Sequence, residues 1–121
     1  LCLSVDYRVG TQGEFKLGLN EVAIGMTLPW FGVELARGRL ANHWIGRAVD
    51  LAMLFGPEQA ADVGYLDEVV EAEQLVTRAG QVAAEFANLN MQAYAETKAR
   101  TREKTRQALR AALERDFALA S

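Results

Sequence analysis

Alternating apolar residues at the start of the chain predict a β-strand. Every second position over residues 1–9 is apolar, which is the period of a strand that buries one face. The next four residues include two glycines and have the composition of a turn. Residues 14–19 then place Phe15, Leu17 and Leu19 on one face of a second short strand.

From residue 27 onward the apolar spacing becomes that of helices. Thr27 is the predicted N-cap of the first helix, Pro29 lies in its first turn, and Gly38 is predicted to end it. A second helix is predicted over residues 41–54, with Asn42 as a candidate N-cap. The side chains with the spacing of its buried face are Trp44, Ile45, Ala48, Val49 and Ala52.

A short helix follows, and proline and glycine mark its two ends. It begins at Pro57 and is stopped by Gly64, after which residues 65–70 form a predicted strand. Two amphipathic segments, residues 72–89 and 91–119, predict the remaining helices. The predicted order is therefore strands first and helices after, without a linker, a low-complexity tract or an internal repeat.

The composition is that of an ordinary globular domain and excludes several classes of function. The 121 residues are 50% apolar and 24% charged, which suffices for one domain with a core. A net charge of −3 and a pI near 5.2 disfavour nonspecific nucleic-acid binding, which needs a positive surface. No apolar run approaches the roughly 20 residues that cross a bilayer, so we expect no membrane insertion.

The chain contains only one cysteine and one histidine. Cys2 has no partner for an internal disulfide and fits a reducing compartment, so we expect a cytoplasmic protein in which Cys2 is a buried small hydrophobe. His43 lacks neighbours at metal-ligand spacing, and no metal site is expected. Asp6 and Arg8 point the same way from the predicted strand and could form a pair.

Glu21 is the candidate for acid/base chemistry. This lone carboxylate lies in an apolar segment that is punctuated by glycines and directly precedes a helix. Packing would remove its hydration and favour the protonated form, which is the condition that acid/base catalysis by a carboxylate exploits. The pattern leaves one alternative open, in which Glu21 ends a strand and its side chain reaches water.

Three stretches of the chain resemble the crotonase family, that is, the enoyl-CoA hydratase/isomerase family. Residues 5–8 (VDYR) resemble the family's C-D-x-R strand, and residues 14–21 (EFKLGLNE) resemble its next strand and catalytic glutamate. Residues 54–70 (LFGPEQAADVGYLDEVV) resemble its T-G-x-x-x-x-A-x-x-A-G-L-V-x-x-V block, which is the most specific of the three. The resemblance extends over nearly the whole chain.

The resemblance implies an α/β fold, namely the C-terminal half of a crotonase-like fold. Residues 1–70 would be a partial crotonase core, and residues 71–121 a helical region that includes the helices with which the family forms trimers or hexamers. The family's first catalytic glutamate would fall immediately before Leu1, and its oxyanion hole in the preceding half. The chain is therefore expected to be part of a longer protein or a truncated gene product.

The resemblance also implies a function in fatty acid metabolism. A complete member would hydrate or isomerise an enoyl-CoA, as a lyase or an isomerase, with Glu21 as the catalytic acid/base group. Coenzyme A enters as part of the acyl-CoA substrate, and no separate cofactor is implied. These 121 residues alone are expected to be inactive, and the alternative is a non-catalytic helical oligomerisation module or remnant.

Five further residues are candidates for substrate binding. Gly25 matches a glycine of the family, while residues 26–31 replace its glycine-rich turn and put hydratase activity in doubt. Met26, Trp30 and Phe31 are interpreted as lining an acyl pocket, with core packing as the alternative. Lys98 matches a lysine of a late family helix near the coenzyme A phosphates, with an ordinary surface lysine as the alternative.

Overall fold

The computed structural model describes residues 1–120, which combine a small parallel sheet with five α-helices. The strands are β1 (Val9–Thr11) and β2 (Glu68–Val70), and Val9 pairs with Glu68. The helices are α1 (Trp30–Arg39), α2 (Pro57–Val63), α3 (Leu75–Ala87), α4 (Met91–Thr101) and α5 (Glu103–Ala120). Shorter helical turns lie at Cys2–Ser4, Val22–Ile24, Asn42–Trp44, Gly46–Asp50 and Ala72–Gln74.

The two strands predicted before residue 20 are mostly wrong. Cys2–Ser4 forms a 3₁₀ turn, and of residues 1–9 only Val9 enters the ladder. In the second segment the pairing is a single bridge, in which Leu17 and Phe55 exchange N–H···O bonds of 2.9 and 2.8 Å. Alternating apolar residues predict that one face is buried, but a strand forms only where a partner strand can pair with it. Because β2 is only three residues long, it can pair with only three residues of the first segment.

The core lies beneath α1 and α2. Phe55 and Val63 are its largest fully buried side chains, and the Phe55 ring meets Trp44 edge-on at 5.5 Å between centroids. The predicted helix over residues 41–54 is wrong as one element, because it breaks into two turns, the second of which ends at Asp50, and Ala52 then has a left-handed φ of 50°. Its predicted buried face is nevertheless confirmed at Ala48, Val49 and Ala52.

Helix α1 packs on α5, and both of its predicted end signals are wrong. The helix starts at Trp30 with Pro29 in the N-cap position, not at Thr27. Gly38 does not end it but lies inside it, where a Cβ would stand 2.9 Å from the Thr105 Cγ2 atom of α5. The glycine therefore permits the close approach of the two helices.

The remaining helices follow the prediction with one difference. The bounds of α2 are confirmed, and Gly64 ends it with φ of 110°. The segment predicted as one helix over 91–119 is two helices, because α4 ends at Thr101 and α5 starts at Glu103. Asn90 caps α4 by accepting a 2.9 Å hydrogen bond from the Ala93 N–H.

Arg8 fixes the start of the chain to the junction of α2 and β2. It is only 7% exposed; its Nε donates to Asp67 Oδ2 at 3.0 Å, and its Nη1 donates to the Gly64 carbonyl at 2.6 Å. The predicted pair with Asp6 is therefore wrong, since Asp6 bonds to Lys98 instead. The prediction that Cys2 is buried is also wrong, because the thiol-bearing residue is exposed in the 3₁₀ turn.

Candidate active site

Glu21 lies at the start of a tight turn that fixes its backbone. Its carbonyl accepts hydrogen bonds from the Ile24 N–H at 3.1 Å and the Met26 N–H at 2.8 Å. Gly25 completes the turn with φ of 78°, a conformation that glycine adopts without strain. The local sequence therefore holds the carboxylate at a defined place ahead of α1.

One carboxylate oxygen of Glu21 is buried and lacks a hydrogen-bond partner. Among the described residues, Oε2 of Glu21 is the only carboxylate oxygen in this condition. Buried polar atoms in folded proteins are nearly always paired, and an unpaired one is costly. An unsatisfied carboxylate oxygen on a rigid turn has the character of a group kept for a ligand, a water molecule or a proton.

Tyr65 provides the second unpaired buried oxygen near this turn. Its hydroxyl has no side-chain partner among residues 1–120 and lies only within weak hydrogen-bond reach of the Leu19 backbone. Burial and, second, the negative charge of Glu21 together raise the pKa of Tyr65 to about 12, against the opposing effect of the Leu19 backbone. The phenol is therefore neutral at physiological pH and able to donate a hydrogen bond.

A cavity of about 410 Å³ opens beside the Glu21 turn. Two of the predicted substrate-binding residues, Gly25 and Met26, lie in its wall, and Glu21 itself does not. The other lining residues are Val22, Thr27, Leu28, Val33, Val49 and Asp50. A wall of mostly apolar side chains suits an aliphatic ligand better than a charged one.

Asp50 is a lining residue that sequence reasoning missed. It is an exposed carboxylate at the end of the Gly46–Asp50 turn. The signal that could have found it is a charged residue inside the apolar run AVDLA, residues 48–52. It places one negative charge at the rim of an otherwise apolar cavity.

Trp30 and Phe31 lie at the start of α1 and do not line this cavity. Each is 41% exposed, which does not support the alternative of core packing. Their backbone N–H groups both bond to Asp116 of α5, and the Arg115 guanidinium lies 4.6 Å from the Trp30 ring centroid. An acyl-binding role for these two side chains stays a prediction.

Lys98 lies on α4 and is bound to a carboxylate. Its Nζ is 2.7 Å from Asp6 Oδ1, and the Tyr94 hydroxyl donates to the same carboxylate. The hydrogen bonds from Lys98 and Tyr94 hold the pKa of Asp6 below its usual value. Lys98 also lines cavities of about 450 and 570 Å³ together with Arg102, and no described contact joins it to Glu21.

Neither a metal cluster nor a membrane helix is found in the part of the chain that the structure describes. Residues 1–120 contain no group of three or more His, Cys, Asp or Glu side chains placed to hold a metal ion. None of the described helices is both long enough and apolar enough to cross a bilayer.

Comparison with known proteins decides the family. The family model for enoyl-CoA hydratase/isomerase matches residues 1–121. The chain belongs to this family. Its fold is confirmed as the α/β crotonase type by a solved structure of an enoyl-CoA hydratase/isomerase family protein from Pseudomonas syringae, with a TM-score of 0.93 and 46% identity over 95% of the chain.

Several relatives of this family member are named as isomerases. A solved enoyl-CoA isomerase from Mycobacterium tuberculosis has a TM-score of 0.91 and 38% identity, over 97% of this chain and 51% of that one. The human mitochondrial enoyl-CoA delta isomerase 1 is 31% identical over 82% of this chain and 33% of its own length. The chain thus spans about a third of that curated relative and about half of the solved structures.

Proposed function

We propose that this chain is the C-terminal half of a protein that moves the double bond of an enoyl-CoA thioester. Glu21 is its acid/base residue. The observation that carries the proposal is the buried, unpartnered Oε2 of Glu21 on a rigid turn beside an apolar cavity. The support from the family is that relatives from mammals and from Mycobacterium tuberculosis are named as enoyl-CoA isomerases.

One carboxylate is sufficient for this reaction. The ionised Glu21 would take a proton from C2 of a 3-enoyl thioester, which leaves a dienolate. The same carboxylic acid would return the proton to C4, so that the double bond moves to C2–C3 in conjugation with the thioester. The carboxylate ends the cycle in its starting form, and no atom is gained or lost.

Isomerisation is favoured over hydration by the names of the relatives. The mammalian relatives are named as isomerases, and the Mycobacterium tuberculosis protein is named as an isomerase in one solved structure and as a probable hydratase in another. Hydratases of the family use a pair of glutamates to add water, and the first of that pair would fall immediately before Leu1. A proton shuttle needs only Glu21, which would remove and return the same proton.

The proposal is tested with Glu21→Gln in the full-length protein. Conversion of a 3-enoyl-CoA to the conjugated 2-enoyl-CoA is followed by ultraviolet absorbance, and kcat is expected to fall about 1,000-fold. Glu73→Gln is the matched control, because Glu73 is an exposed glutamate outside the site. A Glu21→Gln protein that keeps wild-type turnover would refute the proposal.

The alternative function is a non-catalytic module that oligomerises through its helices. It is favoured by large apolar side chains that are exposed on α3 and α5, such as Val76 at 84% and Leu119 at 79% exposure. Exposed apolar surface of this kind is typical of protein–protein contacts. Light scattering of the chain tests it, and a monomer at micromolar concentration would count against it. The same measurement on the full-length protein tests the trimer or hexamer that we propose for the active form.

The cytoplasmic location is proposed on the single cysteine alone. The curated mammalian relatives are named as mitochondrial, so cell fractionation with an antibody to the full-length protein decides between the two compartments.

A further inference from the structure

We propose that Tyr65 is a positioning residue for Glu21, whose hydroxyl holds the buried carboxylate oxygen through one trapped water molecule. The inference rests on the proposed function, because it assigns Glu21 the acid/base role. Tyr65 would not touch the substrate. It would fix the direction of the Glu21 carboxylate that does.

The main-chain setting of Tyr65 makes it a rigid support. Its N–H donates to the Ala60 carbonyl at 2.9 Å, directly after the left-handed residue that ends α2. The residue is 4% exposed, and its ring centroid lies 6.2 Å from that of Phe55. Because its backbone is hydrogen-bonded and its ring is packed, the side chain has few rotamers available, and its hydroxyl keeps one position.

The same scaffold connects Tyr65 to the Glu21 segment. Phe55 is bridged to Leu17 by two backbone hydrogen bonds, and Leu17 and Leu19 pack on the core cluster that contains Phe55 and Tyr65. The Tyr65 hydroxyl faces the backbone at Leu19, two residues before Glu21. Tyr65 and the segment that leads into Glu21 therefore belong to one packed unit.

Two unsatisfied oxygens at this place point to a shared partner. Oη of Tyr65 and Oε2 of Glu21 are both buried, and neither has a side-chain hydrogen-bond partner among the described residues. The Leu19 backbone, which Tyr65 Oη faces, lowers the pKa of the phenol and so acts as a donor, which leaves the phenol proton without an acceptor. The charge of Glu21 acts on the Tyr65 phenol, so the two groups are within electrostatic reach. A water molecule that accepts from the phenol and donates to the carboxylate would satisfy both, as buried waters commonly do.

Such a bridge has a consequence for proton transfer. Because the phenol remains neutral up to high pH, it is a permanent donor and cannot compete with Glu21 for the transferred proton. The bridge would engage Oε2 and leave the other carboxylate oxygen to face the substrate.

A purely structural Tyr65 makes a different prediction. If the ring only fills the core, Tyr65→Phe keeps its volume and removes an unsatisfied oxygen, so catalysis and its pH dependence should not change. If the hydroxyl positions Glu21, the same variant keeps its fold but loses the orientation of the carboxylate. The two cases differ in kcat and in the pH profile, not in stability.

The test is Tyr65→Phe in the full-length protein, with Tyr7→Phe as the matched control. The Tyr7 hydroxyl bonds to Glu68, away from Glu21. For Tyr65→Phe we expect kcat to fall about 100-fold with KM changed less than about twofold, because orientation and not binding is lost. The acidic limb of the kcat/KM profile should move up by about one pH unit, since a donor to the ionised carboxylate is gone.

Two outcomes separate this inference from the proposed function. If Glu21→Gln abolishes turnover while Tyr65→Phe keeps wild-type kcat and pH profile, the positioning role is overturned and the isomerase proposal stands. If Glu21→Gln leaves turnover intact, the proposed function fails. The bridge is then decided by the Glu21 carboxyl titration in carbon-13 NMR, where an upward shift in Tyr65→Phe supports it and an unchanged titration overturns it.

Discussion

Asp116, close to the end of the described chain, caps a helix that begins at Trp30, 86 residues earlier. Its Oδ1 accepts from the Trp30 N–H and its Oδ2 from the Phe31 N–H, both at 2.9 Å. A carboxylate at a helix N-terminus satisfies free N–H groups and meets the positive end of the helix dipole. The cap therefore ties α5 to the helix that follows the Glu21 turn.

Removal of this cap should weaken the packing of α5 on α1. Asp116→Ala leaves two N–H groups without their acceptor, and we expect a loss of about 1 kcal/mol in the free energy of unfolding. Urea unfolding of the full-length protein measures it. Glu114→Ala is the control on the same helix, and an equal loss in both variants would contradict a specific capping role.

The pair formed by Arg8 and Asp67 should make stability depend on acid pH. Burial of Asp67 raises its pKa, but the hydrogen bonds and charge of Arg8 outweigh this and hold the pKa below its ordinary value of 3.8. The stabilisation is therefore complete above that ordinary value and is lost as the pH falls through the lower pKa of the folded state.

Asp67→Asn tests this dependence. The variant should lose about 2 kcal/mol near neutral pH, which is typical for a hydrogen bond to a charged group. It should also show a smaller loss of stability than wild type when the pH is lowered below about 4. Asp62→Asn, at an exposed aspartate of α2, is the control for urea titrations at each pH. Parallel pH curves for wild type and Asp67→Asn would disprove the linkage.

A pair of glycine substitutions separates helix propensity from packing. Gly38→Ala places a Cβ 2.9 Å from Thr105 Cγ2, and overpacking should outweigh the gain in helix propensity, for a net loss of about 1 kcal/mol. Gly80→Ala in α3 meets nothing within 4 Å and should gain about 1 kcal/mol. The double variant Gly38→Ala/Thr105→Ala should recover most of the loss. If the double variant is as unstable as Gly38→Ala alone, contact with Thr105 is not the cause of the lost stability.

The predicted role of Lys98 in binding coenzyme A phosphates has a direct test. If the ammonium contacts the phosphates, Lys98→Gln raises KM for an acyl-CoA about tenfold and leaves KM for the acyl-pantetheine thioester, which lacks the nucleotide, unchanged. If Lys98→Gln changes KM for both substrates by the same factor, or changes neither, Lys98 does not contact the phosphates. The ion pair with Asp6 is then its only identified role.

Sequence reasoning succeeded where the signal was local. The bounds of α2 were predictable because Pro57 favours a first turn and Gly64 supplies the left-handed residue that ends it. It failed at residues 1–9, because the ladder is only as long as the three residues of β2, and this pairing leaves no local pattern. It also failed at residues 41–54, where apolar residues keep helical spacing up to Ala52 although the last helical turn ends at Asp50 and Phe55 bridges Leu17.

The candidate site divides in the same way. Glu21 is a candidate through a motif, and its turn is built by hydrogen bonds within six residues. Asp50, which lines the cavity, and Tyr65, which lies in the core cluster, were missed, because each lies in a run that has the pattern of core. Contacts between residues that are far apart in sequence produce no periodic pattern within a local segment.

The parallel pairing of β1 with β2 has a consequence for the order of assembly. The ladder and the bonds between Arg8 and Asp67, which are 59 residues apart in sequence, enclose a large loop. The conformational entropy of closing this loop is lost before the contacts that stabilise the closed form are made. Glu21 lies within that loop, and its own turn needs only neighbouring residues. Damage to the ladder would thus spare the Glu21 turn and the helical content seen by circular dichroism, while it loosens the packing between the two ends of the loop.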